Sequence, residues 1–178
     1  MKKILVLGAS SSRSSINKRF AAYVADLLDG VEADLIDLND YEMPLFSIDR
    51  EKDLGSPSQA EAFANKIGES DGVIISFAEH NGSYSAAFKN LMDWTSRREG
   101  KLWQDKKYFL LSTSPGGRGG MTVLNAAVSQ FPFMGAEVIA HFSLPFFHKN
   151  FTEEGIQDAE LTAKLQVAVN SFQEAING

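Results

Sequence analysis

The feature that most constrains this chain is the alternation of short apolar runs with longer stretches of helical period. Residues 4–7 (Ile-Leu-Val-Leu) and 73–77, apolar but for Ser76, are runs of strand length, the pattern of a strand covered on both faces. Between them, residues 15–28 carry Ile16, Phe20, Tyr23, Val24, Leu27 and Leu28 at helical spacing. The same patterning predicts further strands at 31–38, 107–112 and 137–141, and helices at 58–69, 85–97, 121–133 and 158–176. Strands alternating with helices imply right-handed crossovers. The expected fold is therefore α/β: a three-layer, doubly wound, five-stranded parallel sheet in one domain over residues 1–178. Residues 39–57 and 143–157 show no clear period and are expected to be long loops, segments that often carry function.

Composition removes several kinds of chemistry. The net charge is −6 and Lys and Arg are scattered, so the basic footprint of a nucleic-acid binder is missing. There are no cysteines, which excludes disulfides, thiolate zinc sites, iron–sulfur clusters and cysteine nucleophiles. Met1-Lys2-Lys3 precedes an apolar run of only four residues, too short for a signal peptide, and no run approaches a membrane span. A soluble, cytoplasmic protein is the expectation. The three histidines, His80, His141 and His148, lack the spacing of a metal site, and His141 is expected to be structural.

Ligands of such sheets gather at the carboxyl ends of the strands, so the segments after strands one, three and four matter most. Residues 8–17 read Gly-Ala-Ser-Ser-Ser-Arg-Ser-Ser-Ile-Asn, joining a buried strand to a helix. Backbone N–H groups and the positive helix end there suit a phosphate monoester, with serine hydroxyls and Arg13 as further donors. The loop has neither the Gly-Lys-Ser/Thr ending of a Walker A motif nor a Gly-x-Gly-x-x-Gly turn. The alternative is a serine helix cap in a polar loop. Residues 78–83 contain Asn81-Gly82, which favours a turn with positive φ and exposes backbone amides to the edge of a flat heterocycle. The alternative there is a strand-to-helix turn capped by Ser83. Residues 112–120 hold four glycines in five positions, leaving room for a large flat group against the backbone or forming a plain surface loop.

Together the three loops resemble the NADPH-dependent FMN reductase family, over roughly residues 3–140. Ser10, Ser12, Ser15 and Asn17 fall at the spacing of the family's first motif, Gly-Ser-x-Arg-x-x-Ser-x-Asn, with Ser12 in place of its arginine and Arg13 one residue later. Residues 78–83 and 88–94 are similar to its Pro-Glu-Tyr-Asn-Gly-Ser and Leu-Lys-Asn-x-x-Asp-Trp motifs, with Ala78 for proline and His80 for tyrosine. Residues 114–120 match Ser-Pro-Gly-Gly-x-Gly-Gly throughout.

The resemblance implies a flavodoxin-like strand order, 2-1-3-4-5, and bound FMN. Ser10, Ser12, Arg13, Ser15, Ile16 and Asn17 would hold the phosphate, and Glu79, His80, Asn81 and Gly82 would line the pyrimidine and N5 side of the ring, mainly by backbone. Ser114, Gly116 and Gly117 would lie along the ring and ribityl chain. It further implies an oxidoreductase with NADPH or NADH as co-substrate and a quinone, azo compound or free flavin as acceptor, by a ping-pong route. The cofactor carries that chemistry, so no catalytic side chain and no metal are expected. Arg13, Lys18 and Arg118 are the candidates to meet a 2′-phosphate. A homodimer or homotetramer is expected, with the helix holding Phe88 and Trp94 either at the subunit contact or in the core. The rival is a flavodoxin-like electron carrier without NAD(P)H turnover.

Overall fold

Five parallel strands form one sheet in the computed structural model, which describes residues 1–178. They are β1 (Lys2–Ala9), β2 (Val31–Ile36), β3 (Gly72–Phe77), β4 (Lys106–Thr113) and β5 (Ala136–Leu144), in the order 2-1-3-4-5. This is the expected α/β fold and strand order. The register aligns Ala9 with Phe77, Phe77 with Ser112, and Ser112 with Ser143. The chain therefore leaves β1, β3 and β4 side by side at one edge.

Alternate residues of each strand feed two separate cores, as the period of two demands. Leu5, Leu7, Val73, Ile75, Tyr108 and Leu110 pack on one face beneath α3 (Ser58–Glu69), α4 (Ala86–Thr95) and α5 (Met121–Gln130). Ile4, Val6, Ile74, Phe109 and Leu111 pack on the other beneath α1 (Ile16–Asp26) and α7 (Ala159–Asn177). Burying a side chain such as Phe63 or Phe172, both 0% exposed, stabilises the fold by roughly 2–3 kcal/mol each. Trp94 belongs to the first core at 1% exposed, its indole N–H donating to the Pro44 carbonyl at 2.7 Å. Its ring is thus a core element.

Two segments expected to be loops are structured. Residues 39–57 overlap a 3-10 turn (Leu38–Tyr41) and contain α2 (Ile48–Leu54). Ser47 caps α2, its Oγ accepting from the Arg50 N–H at 3.2 Å, and Gly55 ends it with φ of 71°. No residue of α2 is buried, so it has no apolar period to find. Residues 143–157 hold the end of β5, the four-residue helix α6 (Phe147–Asn150) and a hairpin of β6 (Phe151–Thr152) with β7 (Gly155–Ile156). The hairpin strands are two residues each, too short for any period, and Phe151 anchors them by stacking on Phe147 at 4.8 Å. His141, expected as a structural residue, is exposed on β5. No helix is long and apolar enough to cross a membrane.

Candidate functional site

The serine loop is organised by its own hydroxyls. Ser15 is the cap of α1, its Oγ accepting from the Lys18 N–H at 3.1 Å, while Ser10 Oγ accepts from the Ser12 N–H at 3.2 Å. Both serines are nearly buried, at 6% and 9% exposed, and both keep a hydroxyl proton to donate. The N–H groups of Ile16 and Asn17, in the first turn of α1, have no partner in the chain. First-turn N–H groups point out of the helix end, where the dipole is positive. Two orphan N–H groups and two hydroxyls thus converge on one point, a donor set suited to a phosphate.

A hollow of about 180 Å³ lies at that point. Ser10, Ser15, Ile16, Asn17, Ala78, Glu79, His80, Thr113, Ser114 and Pro115 line it, so all three loops meet there. Seven of the thirteen residues expected at a site are in this lining. Ser12, Arg13, Asn81, Gly82, Gly116 and Gly117 are exposed and belong to the surrounding loops instead. Ala78, Thr113 and Pro115 also line the hollow and were not among the thirteen. Their place at the carboxyl ends of β3 and β4 is the signal that would have found them.

Asn17 holds the walls together. Its Oδ1 accepts from Ser76 Oγ at 2.7 Å and from the Thr113 N–H at 3.1 Å, and its Nδ2 donates to the Thr113 carbonyl at 3.2 Å. The side chain is spent on joining α1 to β3 and β4, which leaves its backbone N–H for a ligand.

The second loop turns as its Asn-Gly pair dictates. Asn81 and Gly82 have φ of 52° and 75°, and His80 and Ser83 exchange N–H···O bonds of 2.9 and 3.0 Å. The cap of α4 is Ser85, not Ser83: its Oγ accepts from the Phe88 N–H at 3.3 Å and donates to the Ala9 carbonyl at 2.8 Å. Glu79 Oε2 accepts from the Val123 N–H at 3.0 Å and so caps α5, whose own cap residue is Gly120.

The glycines of the third loop answer mostly to the protein itself. A Cβ on Gly117 would lie 2.6 Å from the Phe146 ring, and one on Gly119 would lie 2.4 Å from Ser143 Oγ. Only Gly116 faces open space. Phe146 sits in the left-handed region with φ of 48°, its N–H donating to the Gly116 carbonyl at 3.0 Å.

Among the cations near the cup, Lys18 is engaged. Its ammonium meets Asp37 Oδ2 at 2.5 Å. That bond, helped by the Asn39 N–H, lowers the Asp37 carboxyl to about 2. Arg118 donates to Thr122 Oγ1 at 2.8 Å.

Among known proteins, the model of the NADPH-dependent FMN reductase family matches residues 2–149. The chain is 35% identical over 119 residues to a 2-hydroxy-1,4-benzoquinone reductase of a Burkholderia species, covering 66% of this chain and 63% of that protein. It is 32% identical to an NADPH:quinone oxidoreductase of Arabidopsis thaliana, covering 66% and 61%. The matches thus span less than two thirds of either relative. Among solved structures, the FerB flavoenzyme of Paracoccus denitrificans, an NAD(P)H:(acceptor) oxidoreductase, superposes with a TM-score of 0.79 at 24% identity, over 99% of this chain and 98% of that one. With a family model matching from β1 into α6, the chain belongs to the NADPH-dependent FMN reductase family.

Proposed function

We propose that this chain is an NAD(P)H-dependent flavin oxidoreductase that holds FMN at the junction of its three loops and reduces a small quinone. The observation that carries this reading is the convergence of the Ile16 and Asn17 N–H groups with Ser10 and Ser15 at one hollow walled by the ends of β1, β3 and β4. A phosphate monoester fits that donor set, and it needs no lysine. Exposed Arg13 adds a positive charge on the same loop. Asn81, Gly82, Gly116 and Gly117 present unpartnered backbone N–H groups beside the hollow, suited to the edge of a flat ring.

When bound, FMN would supply the redox chemistry, as the hydride carrier between NAD(P)H and the acceptor. The chain's share is orientation. Ser10 and Ser15 hold the phosphate, Asn17 keeps the walls in register, and the Asn81-Gly82 turn fixes the ring edge. The quinone reductases among the relatives support a quinone as acceptor over an azo compound.

The test is anaerobic mixing of the FMN-loaded protein with NADPH or NADH, followed by a benzoquinone. Bleaching within the turnover time and return of colour with the quinone are expected. Slow or absent bleaching by either nicotinamide would leave only an electron carrier.

A further inference from the structure

Reducing a quinone to a hydroquinone adds a hydride and a proton. In the flavin reading above, on which this inference rests, NAD(P)H supplies the hydride and becomes NAD(P)⁺. The proton comes from a second source, either solvent or a side chain at the hollow.

The charged or titratable side chains on the three loops are Arg13, Glu79, His80 and Arg118. Two are arginines, which keep their protons. Glu79 is committed to α5 through the Val123 N–H at 3.0 Å. Tyr84, at the entry to α4, packs its ring on Phe77 and Phe88, and burial pushes its phenol up to about 12. His80 remains. It lines the hollow, its imidazole makes no hydrogen bond within the chain, and its backbone is pinned by the paired bonds to Ser83. Beside it in the same lining stands Glu79, its neighbour on the loop. Histidine is also the side chain suited to giving up a proton near neutral pH.

We propose that His80 is the proton donor to the acceptor. As the hydride reaches the quinone, an imidazolium N–H bond breaks and an O–H bond forms on a quinone oxygen. The neutral imidazole is then reprotonated from solvent.

Ferricyanide tests this because it takes electrons without a proton. In His80→Gln, the ratio of benzoquinone to ferricyanide turnover with NADPH is expected to fall about tenfold or more. The FMN dissociation constant, measured by quenching of flavin fluorescence, should shift by much less than that ratio. An unchanged ratio overturns the proposal, whether or not FMN binding weakens, and assigns His80 to cofactor positioning or to no role. A parent protein that takes up no FMN fails differently, since it removes the flavin reading itself.

Discussion

Gly8 and Lys18 touch backbone to backbone: a Cβ on Gly8 would lie 2.4 Å from the Lys18 nitrogen and 2.6 Å from its Cα. This contact sets how closely α1 approaches the end of β1, and with it the position of the serine cup. Backbone atoms have no rotamer by which to escape. Gly8→Ala is expected to cost about 2–3 kcal/mol, read as a lower urea midpoint, and to weaken FMN binding with it. Gly116→Ala, with nothing within 4 Å of the added carbon, should stay within about 0.5 kcal/mol.

Asn17 makes three hydrogen bonds from one buried amide. Asn17→Ala leaves Ser76 Oγ and both backbone groups of Thr113 without that partner, and should cost about 2–4 kcal/mol. Asn17→Asp keeps the acceptor but loses the donor to the Thr113 carbonyl and buries a charge, so it is not expected to rescue the loss. Chemical denaturation of both variants checks this.

Glu79 acts on α5. Glu79→Ala orphans the Val123 N–H and is expected to lower stability by about 1 kcal/mol, or about 2–4 °C in Tm for a chain of this size. Glu79→Gln keeps an acceptor oxygen and should recover most of it in calorimetry. Equal losses in both would mean that the carboxylate charge at the helix end, not the bond, carries the effect.

The central strands β1, β3 and β4 were legible because they are buried on both faces, and α3 matches the expected span of 58–69 because Ala60, Phe63, Ala64 and Ile67 mark its buried side. The cup was legible from its five serines and the Asn-Gly turn from its backbone preference. What escaped has no period or no local signal. Helix α2 buries nothing, and the hairpin after β5 has strands of two residues. The glycine-rich loop was a case of right residues with a different reason. Its bareness serves Phe146 and Ser143, which lie far along the chain from it and come close only in the fold. The inward use of Asn17 likewise depends on Ser76 and Thr113, which sequence spacing does not reveal.

The Lys18–Asp37 pair predicts a limb of acid destabilisation. Because folding lowers the Asp37 carboxyl to about 2, its contribution is complete above the ordinary carboxylate range near pH 4 and is lost as pH falls from about 4 to about 2. With both side chains about one-third exposed, it is worth about 1 kcal/mol after solvent screening. Lys18→Met should be less stable than the parent at pH 7 by about that amount. The urea midpoints of the two should converge towards pH 2.

The central claim is that the cup at the start of α1 grips a phosphate monoester, and comparing FMN with riboflavin tests it most directly. The two ligands share the ring and ribityl chain and differ only in that phosphate. Titration calorimetry is expected to give a dissociation constant for FMN lower than that for riboflavin by about 100-fold or more, a difference of about 2.7 kcal/mol. Equal affinities, or no binding of either, would contradict the account.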